Sequence, residues 1–210
     1  MQQDSNVAAV VAALQQARQS GQQVDASGLR LADAQQAYAA QAQLAQALGW
    51  FAAAPGHWKS GGPNRQAALT HAPLPPAGIW SSPAKLGQWP AHVLGVEAEI
   101  ALRLGQDVSP EQAAQLDYEQ ALALVDAMAV SIELVDFRWQ QAAAAPFELK
   151  LADSQSHGAL VLGDWQAFAP LDWSQQRCQV QIGSQAWDVR GKHTLGDPAW
   201  LLPTWLRHAS

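Results

Sequence analysis

The chain has 210 residues, 49% of them apolar and 14% charged, a composition that excludes a disordered or collagen-like protein and fits one globular domain. Twelve Lys and Arg against 18 Asp and Glu give a formal charge of -6, which argues against a nucleic-acid or membrane-surface partner and points to neutral, cationic or small ones. Cys178 is the only cysteine, so no intrachain disulfide can form, and with no secretory leader pattern the expected location is the cytoplasm.

Residues 6–19 place Val7, Val10, Val11 and Leu14 at helical spacing, with Asn6 as the expected N-cap and Gly21 as the stop. Residues 33–48 repeat the pattern through Tyr38, Leu44 and Leu48, with Gly49 just beyond. Residues 1–50 are therefore read as a helical N-terminal arm and residues 51–210 as a mixed β core, together forming a single domain. From Pro55 to Pro90 the segments GHWKSGGPNR, THAPLPPAGIW and SSPAKLGQWP predict irregular chain broken by short strands, the kind of connection that walls or covers a site.

Alternation then returns over residues 92–104. Val96, Ala98, Ile100, Leu102 and Leu104 fall on one strand face, and Glu97, Glu99, Ala101 and Arg103 on the other. The run VSPEQAAQLDYEQALALVDAMA predicts one helix, opened by Ser109, Pro110 and a capping-box Gln112, with Ala113, Leu116, Leu124 and Met128 as its apolar stripe. SIELVDFRW follows as a strand in which Ser131, Glu133, Val135 and Phe137 share a face. If the two strands are neighbours, Glu133 returns beside Glu97 and Glu99. After LADSQSHGALVLGD, RCQVQIGSQAWDV predicts a β-hairpin turning at Gly183 and Ser184, and DPAWLLPTWLR a short helix broken or re-entered at Pro203.

Two glutamates one residue apart on a strand point the same way and repel unless something compensates them. A hard divalent cation would do so, and Glu133 would complete a set of three oxygen donors suited to Mg2+ or Mn2+. For an ExE pair taken by itself, a solvent-facing sheet surface is the plainer reading. Lys59, between His57-Trp58 and Ser60-Gly61-Gly62, can bind a substrate carboxylate or influence proton transfer; an exposed loop lysine is the plainer reading. Arg103 can pair with Glu99 or touch the site, and Arg138 lies opposite the Glu133 face, both fitting structural ion pairs. Among the six histidines His57 is the acid–base candidate, while His71, His92, His157, His193 and His208 lack metal-ligand spacing and read as ordinary polar residues. No GxGxxG, Walker A or GxSxG pattern occurs.

Taken together, HWKSGG, LGVEAEIALRLGQDVSP, SIELVDFRW and LADSQSHGALVLGD resemble the fumarylacetoacetate hydrolase superfamily, nearest its 2-keto-4-pentenoate hydratase and oxalocrotonate decarboxylase branch. The resemblance implies an α+β fold: a rolled, barrel-like mixed β-sheet core with N-terminal helices, truncated at the C-terminus relative to longer relatives. It implies Mg2+ or Mn2+ bound by Glu97, Glu99 and Glu133, a catalytic and substrate-binding role for Lys59, and substrate binding at Ser154 in the SxxG-like element. The implied activity is a metal-dependent hydratase acting on a small 2-oxo or 2-hydroxy-dienoic acid such as 2-keto-4-pentenoate, in the breakdown of aromatic compounds. The alternatives are a related 2-oxo acid decarboxylase or acylpyruvate hydrolase, or a non-catalytic binding protein; the implied assembly is a homo-oligomer. Hydratase-like relatives carry an acidic segment resembling EPDYG where this chain has LPPAG at Leu74 to Gly78, so Pro76 stands where they supply a carboxylate.

Overall fold

The computed structural model describes residues 2–87, 89–92, 95–191 and 193–209. The chain divides into two compact units, one formed by Met1–Lys59, His71–Glu97 and Ile132–Leu162, the other by Ser60–Thr70, Ala98–Ser131 and Gly163–Ser210. The whole is an α+β fold with N-terminal helices and a mixed β-sheet core.

In the first unit, helix α1 (Gln2–Ser20) and helix α2 (Ala34–Ala47) pack through the apolar stripe read from the sequence, burying Val7, Val10, Val11, Leu14 and Leu44. Asn6 is not an N-cap. The helix already runs through it, because the preceding polar residues Gln2 to Ser5 extend α1 by a turn. Gly21 stops α1 in the left-handed region at φ 65°, and Asp33 caps α2 by accepting the Gln36 N–H. The same core takes in Trp139, Leu149 and Leu151, the last two from helix α5 (Phe147–Ala152). The irregular stretch contains strands β1 (Trp58–Gly61), β2 (Thr70–Pro73) and β3 (Ile79–Ser81), as its composition predicts.

Strand β4 (Gly95–Leu104) is hydrogen-bonded to strand β5 (Val125–Val135); residues 93 and 94, included in the expected strand, lie outside the described residues. The single helix expected over 109–128 is instead two short ones, α3 (Pro110–Ala113) and α4 (Tyr118–Leu122), followed directly by β5. A second capping box, Asp117 with Gln120, restarts the helix. Beyond it the alternation of buried Val125, Ala127, Ala129, Ser131 and Glu133 is a strand pattern that absorbs Met128 into β5. Residues 136 and 137 fall past its end, so Phe137 leaves the expected face.

Strand β6 (His157–Leu162) pairs parallel with β3, giving the order β3-β6-β5-β4, and β7 (Gln166–Ala167) pairs antiparallel with β5. The second unit has its own core of Ala113, Ala121, Val125, Ala199, Leu202 and Leu206, and the expected hairpin of β8 (Arg177–Ile182) and β9 (Gln185–Arg190) turning at Gly183. A 3-10 turn over Pro198–Leu201 leads into helix α6 (Leu202–Ala209), with Pro203 in its first turn, where a missing N–H costs nothing. Among the described residues no helix is long and apolar enough to cross a membrane.

One glycine fixes how closely β6 approaches β5. A Cβ on Gly158 would lie 2.5 Å from the Leu134 carbonyl oxygen, a distance that backbone cannot relieve without moving a strand. Gly158→Ala is therefore expected to lower the unfolding free energy by about 1–3 kcal/mol, read from urea denaturation. An unchanged midpoint would show that the strands are not held so tightly.

Candidate metal and carboxylate site

Glu133 belongs to the inward face of β5 and is 1% exposed, while Glu97 is exposed and Glu99 intermediate on β4. Gly95 lies against Val135, and the Gly105 N–H donates to the Leu124 carbonyl, so the register descends along β5 and the strands run antiparallel. That register carries Glu133 back toward the ExE pair. One carboxylate oxygen from each of Glu97, Glu99 and Glu133 lies within 4.8 Å of the other two. At that separation two full charges repel by about 3 kcal/mol per pair for an effective dielectric near 20, so the cluster needs positive charge nearby.

Lys59, on β1, supplies part of it. Its ammonium donates to both Glu133 oxygens, at 2.8 and 2.6 Å, and reaches the Gln155 carbonyl at 3.4 Å. The buried His157 contributes a third bond to the same carboxylate, with Nδ1 2.8 Å from Glu133 Oε1. Burial alone would push the Glu133 carboxyl up, but the His157 hydrogen bond and the Lys59 charge outweigh it and hold it below its ordinary value. Glu97 moves the other way. Loss of water around its carboxylate and the negative charge of Glu133 raise it, only partly offset by Lys59. His157 is held down by burial, against the pull of Glu133; its Nδ1 is the nitrogen that faces the carboxylate, where it serves as donor, and its Nε2 has no partner among the described residues.

The chain between Asp153 and His157 is bent into an uncommon shape. Ser154, Gln155 and Ser156 all have positive φ, at 50°, 55° and 61°, without a glycine among them. Each such residue costs roughly 1–2 kcal/mol, so the turn must be held from outside. Asp153, fully buried, is gripped by Arg138 through Nε at 2.8 Å and by Arg18 at 2.9 Å, while the Ser156 N–H returns to the Asp153 carbonyl and the Asp136 N–H donates to the Ser156 carbonyl. The burial of Arg18 between these charges pushes its pKa down to about 10.

The predicted residues thus fall into distinct places. Glu97, Glu99, Glu133 and Lys59 come together; Ser154 is 1% exposed inside the strained turn and contributes the backbone that leads to Gln155. Arg103 forms a two-pronged pair with Asp126 across β4 and β5 at 2.8 and 2.9 Å, because the antiparallel register brings those two residues opposite one another. Arg138 is a structural ion-pair partner, as expected. His57 is exposed, whereas His157, which its isolated position marks as an ordinary polar residue, touches Glu133. The one signal for it in the sequence is its place directly after Ser156 and before the first β6 glycine.

A donor set made wholly of carboxylates, converging within 4.8 Å and lacking Cys or His, fits a hard divalent cation and disfavours a soft one. Residues 35–210 match the family model described as Fumarylacetoacetate (FAA) hydrolase C-terminal, and the chain belongs to that family. Its fold is similar to 4-oxalocrotonate decarboxylase from Pseudomonas putida G7 in two solved structures. With the form complexed with calcium and acetate the identity is 13% and the TM-score 0.74, over 98% of this chain and 80% of that one. With the form complexed with magnesium and adipate the identity is 13% and the TM-score 0.73, over 98% and 81%. A search of curated proteins gave no match.

The opposite shifts of the two glutamates have a direct test in metal-free protein. Carbon-13 NMR of the Glu side chains is expected to show Glu97 titrating above the ordinary value of 4.5 and Glu133 below it. The reverse order would mean that Lys59 and His157 do not stabilise the Glu133 anion.

Proposed function

We propose that the protein is a metal-dependent enzyme that decarboxylates a small 2-oxo acid. The observation that carries this reading is the convergence of Glu97, Glu99 and Glu133 with Lys59 bonded to Glu133. Glu97, Glu99 and Glu133 would hold the cation, and a bound Mg2+ or Mn2+ supplies Lewis-acid stabilisation of negative charge developing on a 2-oxo oxygen. Lys59 neutralises and orients a carboxylate of the substrate, a task suited to a point charge on a long stem that is only 15% exposed. The Gln155 carbonyl and Glu133 together hold that ammonium in place.

Two considerations favour decarboxylation over hydration. Two solved structures of similar fold are of a protein named as a decarboxylase, one of them with magnesium and the dicarboxylate adipate. The chain's own residues agree: Pro76 opens a 3-10 turn, Pro76–Gly78, and the segment 74–78 offers no carboxylate to activate water. Adding water across a double bond needs such a base. Decarboxylation does not; the C–C bond to the leaving carboxylate breaks, its electron pair moves through the conjugated chain toward the 2-oxo oxygen, carbon dioxide departs, and one proton is taken up afterwards. The proposal includes a homo-oligomer working in the cytoplasm.

The deciding experiment incubates the protein with Mg2+ or Mn2+ and a panel of 2-oxo and 2-hydroxy-dienoic acids, with product mass and released carbon dioxide measured together. Loss of 44 mass units as carbon dioxide supports the proposal, whereas gain of 18 as water identifies a hydratase and no turnover identifies a binding protein. Glu97→Gln and Glu99→Gln are expected to weaken metal affinity by about tenfold or more and to reduce turnover in parallel. Lys59→Met is expected to impair substrate affinity or turnover by a similar factor while metal binding persists in calorimetry. Normal substrate kinetics in that variant would remove Lys59 from the site.

A further inference from the structure

We propose that His157 is a positioning residue, whose Nδ1–H fixes the orientation in which the Glu133 carboxylate is offered to a divalent cation. The inference rests on the metal-site reading above and concerns a residue that neither the sequence pattern nor that reading assigns. Glu133 has two equivalent oxygens. Lys59 touches both, at 2.8 and 2.6 Å, so its ammonium sets the charge of the carboxylate without distinguishing one oxygen from the other. His157 bonds only Oε1, at 2.8 Å, and so breaks that symmetry.

The remainder of the ring supports a role exercised through Glu133. His157 is 1% exposed, and its Nε2 has no hydrogen-bond partner among the described residues. A buried polar atom left unsatisfied works against stability, so packing alone favours an apolar side chain at this position. What the imidazole offers that an apolar group cannot is the single bond to Glu133. The backbone fixes where that bond is made. His157 follows the three left-handed residues Ser154 to Ser156, and the next residue, Gly158, is pressed against the Leu134 carbonyl, one position from Glu133 along β5. The ring is therefore delivered to Glu133 by two elements whose positions are set independently of it. A hydrogen bond from a histidine ring to a carboxylate that serves as metal ligand restricts that carboxylate to one rotation and tunes its basicity, the usual work of residues just behind a metal.

The two ring nitrogens make the proposal separable from mere space-filling. The amide N–H of an asparagine side chain falls near the place of Nδ1, that of glutamine near Nε2. In the full-length protein, binding of Mn2+ alone would be measured by electron paramagnetic resonance of the free ion, with circular dichroism melting as the control for folding. His157→Asn is expected to keep Mn2+ affinity within about threefold of the parent, and His157→Gln and His157→Leu to weaken it about 10- to 100-fold. Equal losses in the Asn and Gln variants, or a folded Leu variant that binds like the parent, would overturn the proposal. If His157→Leu fails to fold, the Asn and Gln pair decides the matter by the same criterion. A parent protein that takes up no Mn2+ overturns the metal-site reading and this inference with it, while a parent that binds Mn2+ with no dependence on residue 157 overturns this inference alone.

Discussion

A carboxylate that is ionised and almost wholly removed from water must be met by positive charge or hydrogen-bond donors, because an uncompensated buried charge costs several kcal/mol. Glu133, 1% exposed on β5, is that group in this protein. Among the described residues its two oxygens take three bonds, from Lys59 twice and from His157 once. The requirement links β1, β5 and the start of β6 to one point. The same partners hold Glu133 ready to act as an anion while its neighbour Glu97 is driven the other way by loss of water around its carboxylate and then by the negative charge beside it. Three carboxylate oxygens within 4.8 Å of one another, with the Lys59 ammonium bonded to Glu133, form a cluster whose mutual repulsion a divalent cation would offset.

The chain accepts strain to reach this arrangement. Three consecutive non-glycine residues in the left-handed region store roughly 3–6 kcal/mol. The restraint is provided by Asp153, buried between the guanidinium groups of Arg18 and Arg138, which ties the turn to helix α1 on one side and to the chain just after β5 on the other. In this way the N-terminal helices, whose sequence carries no chemical motif, contribute to the site through one arginine near the end of α1. Strain of this kind collects where a backbone must present atoms at a set place; in this turn those atoms are the Gln155 carbonyl and the His157 ring.

Much of this arrangement is legible in the amino-acid sequence, and the reasons for the remainder are physical. Period-two alternation places Glu97 and Glu99 on one strand face and Glu133 on a shared face with Ser131 and Val135, which the structure turns inward at Ser131 and Glu133, and the α1 and α2 stripes follow the 3.6-residue period. The helix expected over 109–128 ends early because a second capping box and an alternating run compete with helical spacing there, and tertiary burial favours the strand. Parity along one strand associates Arg103 with Glu99, whereas its actual partner Asp126 depends on a cross-strand register that parity does not contain. His157 escapes a reading of spacing since a lone histidine has no signature; its importance arises from a turn built of Ser and Gln in a conformation normally read from glycine. Family membership, shown over residues 35–210, agrees with the resemblance carried by the lysine loop and the ExE strand.

The most direct measurement of the central claim is the anomalous diffraction of crystals grown with Mn2+. One peak is expected at direct ligation distance, about 2 Å, from oxygens of Glu97, Glu99 and Glu133 together, with the imidazole of His157 still on Glu133 Oε1. A peak bound elsewhere, or none at these carboxylates in protein whose fold is intact, would contradict it.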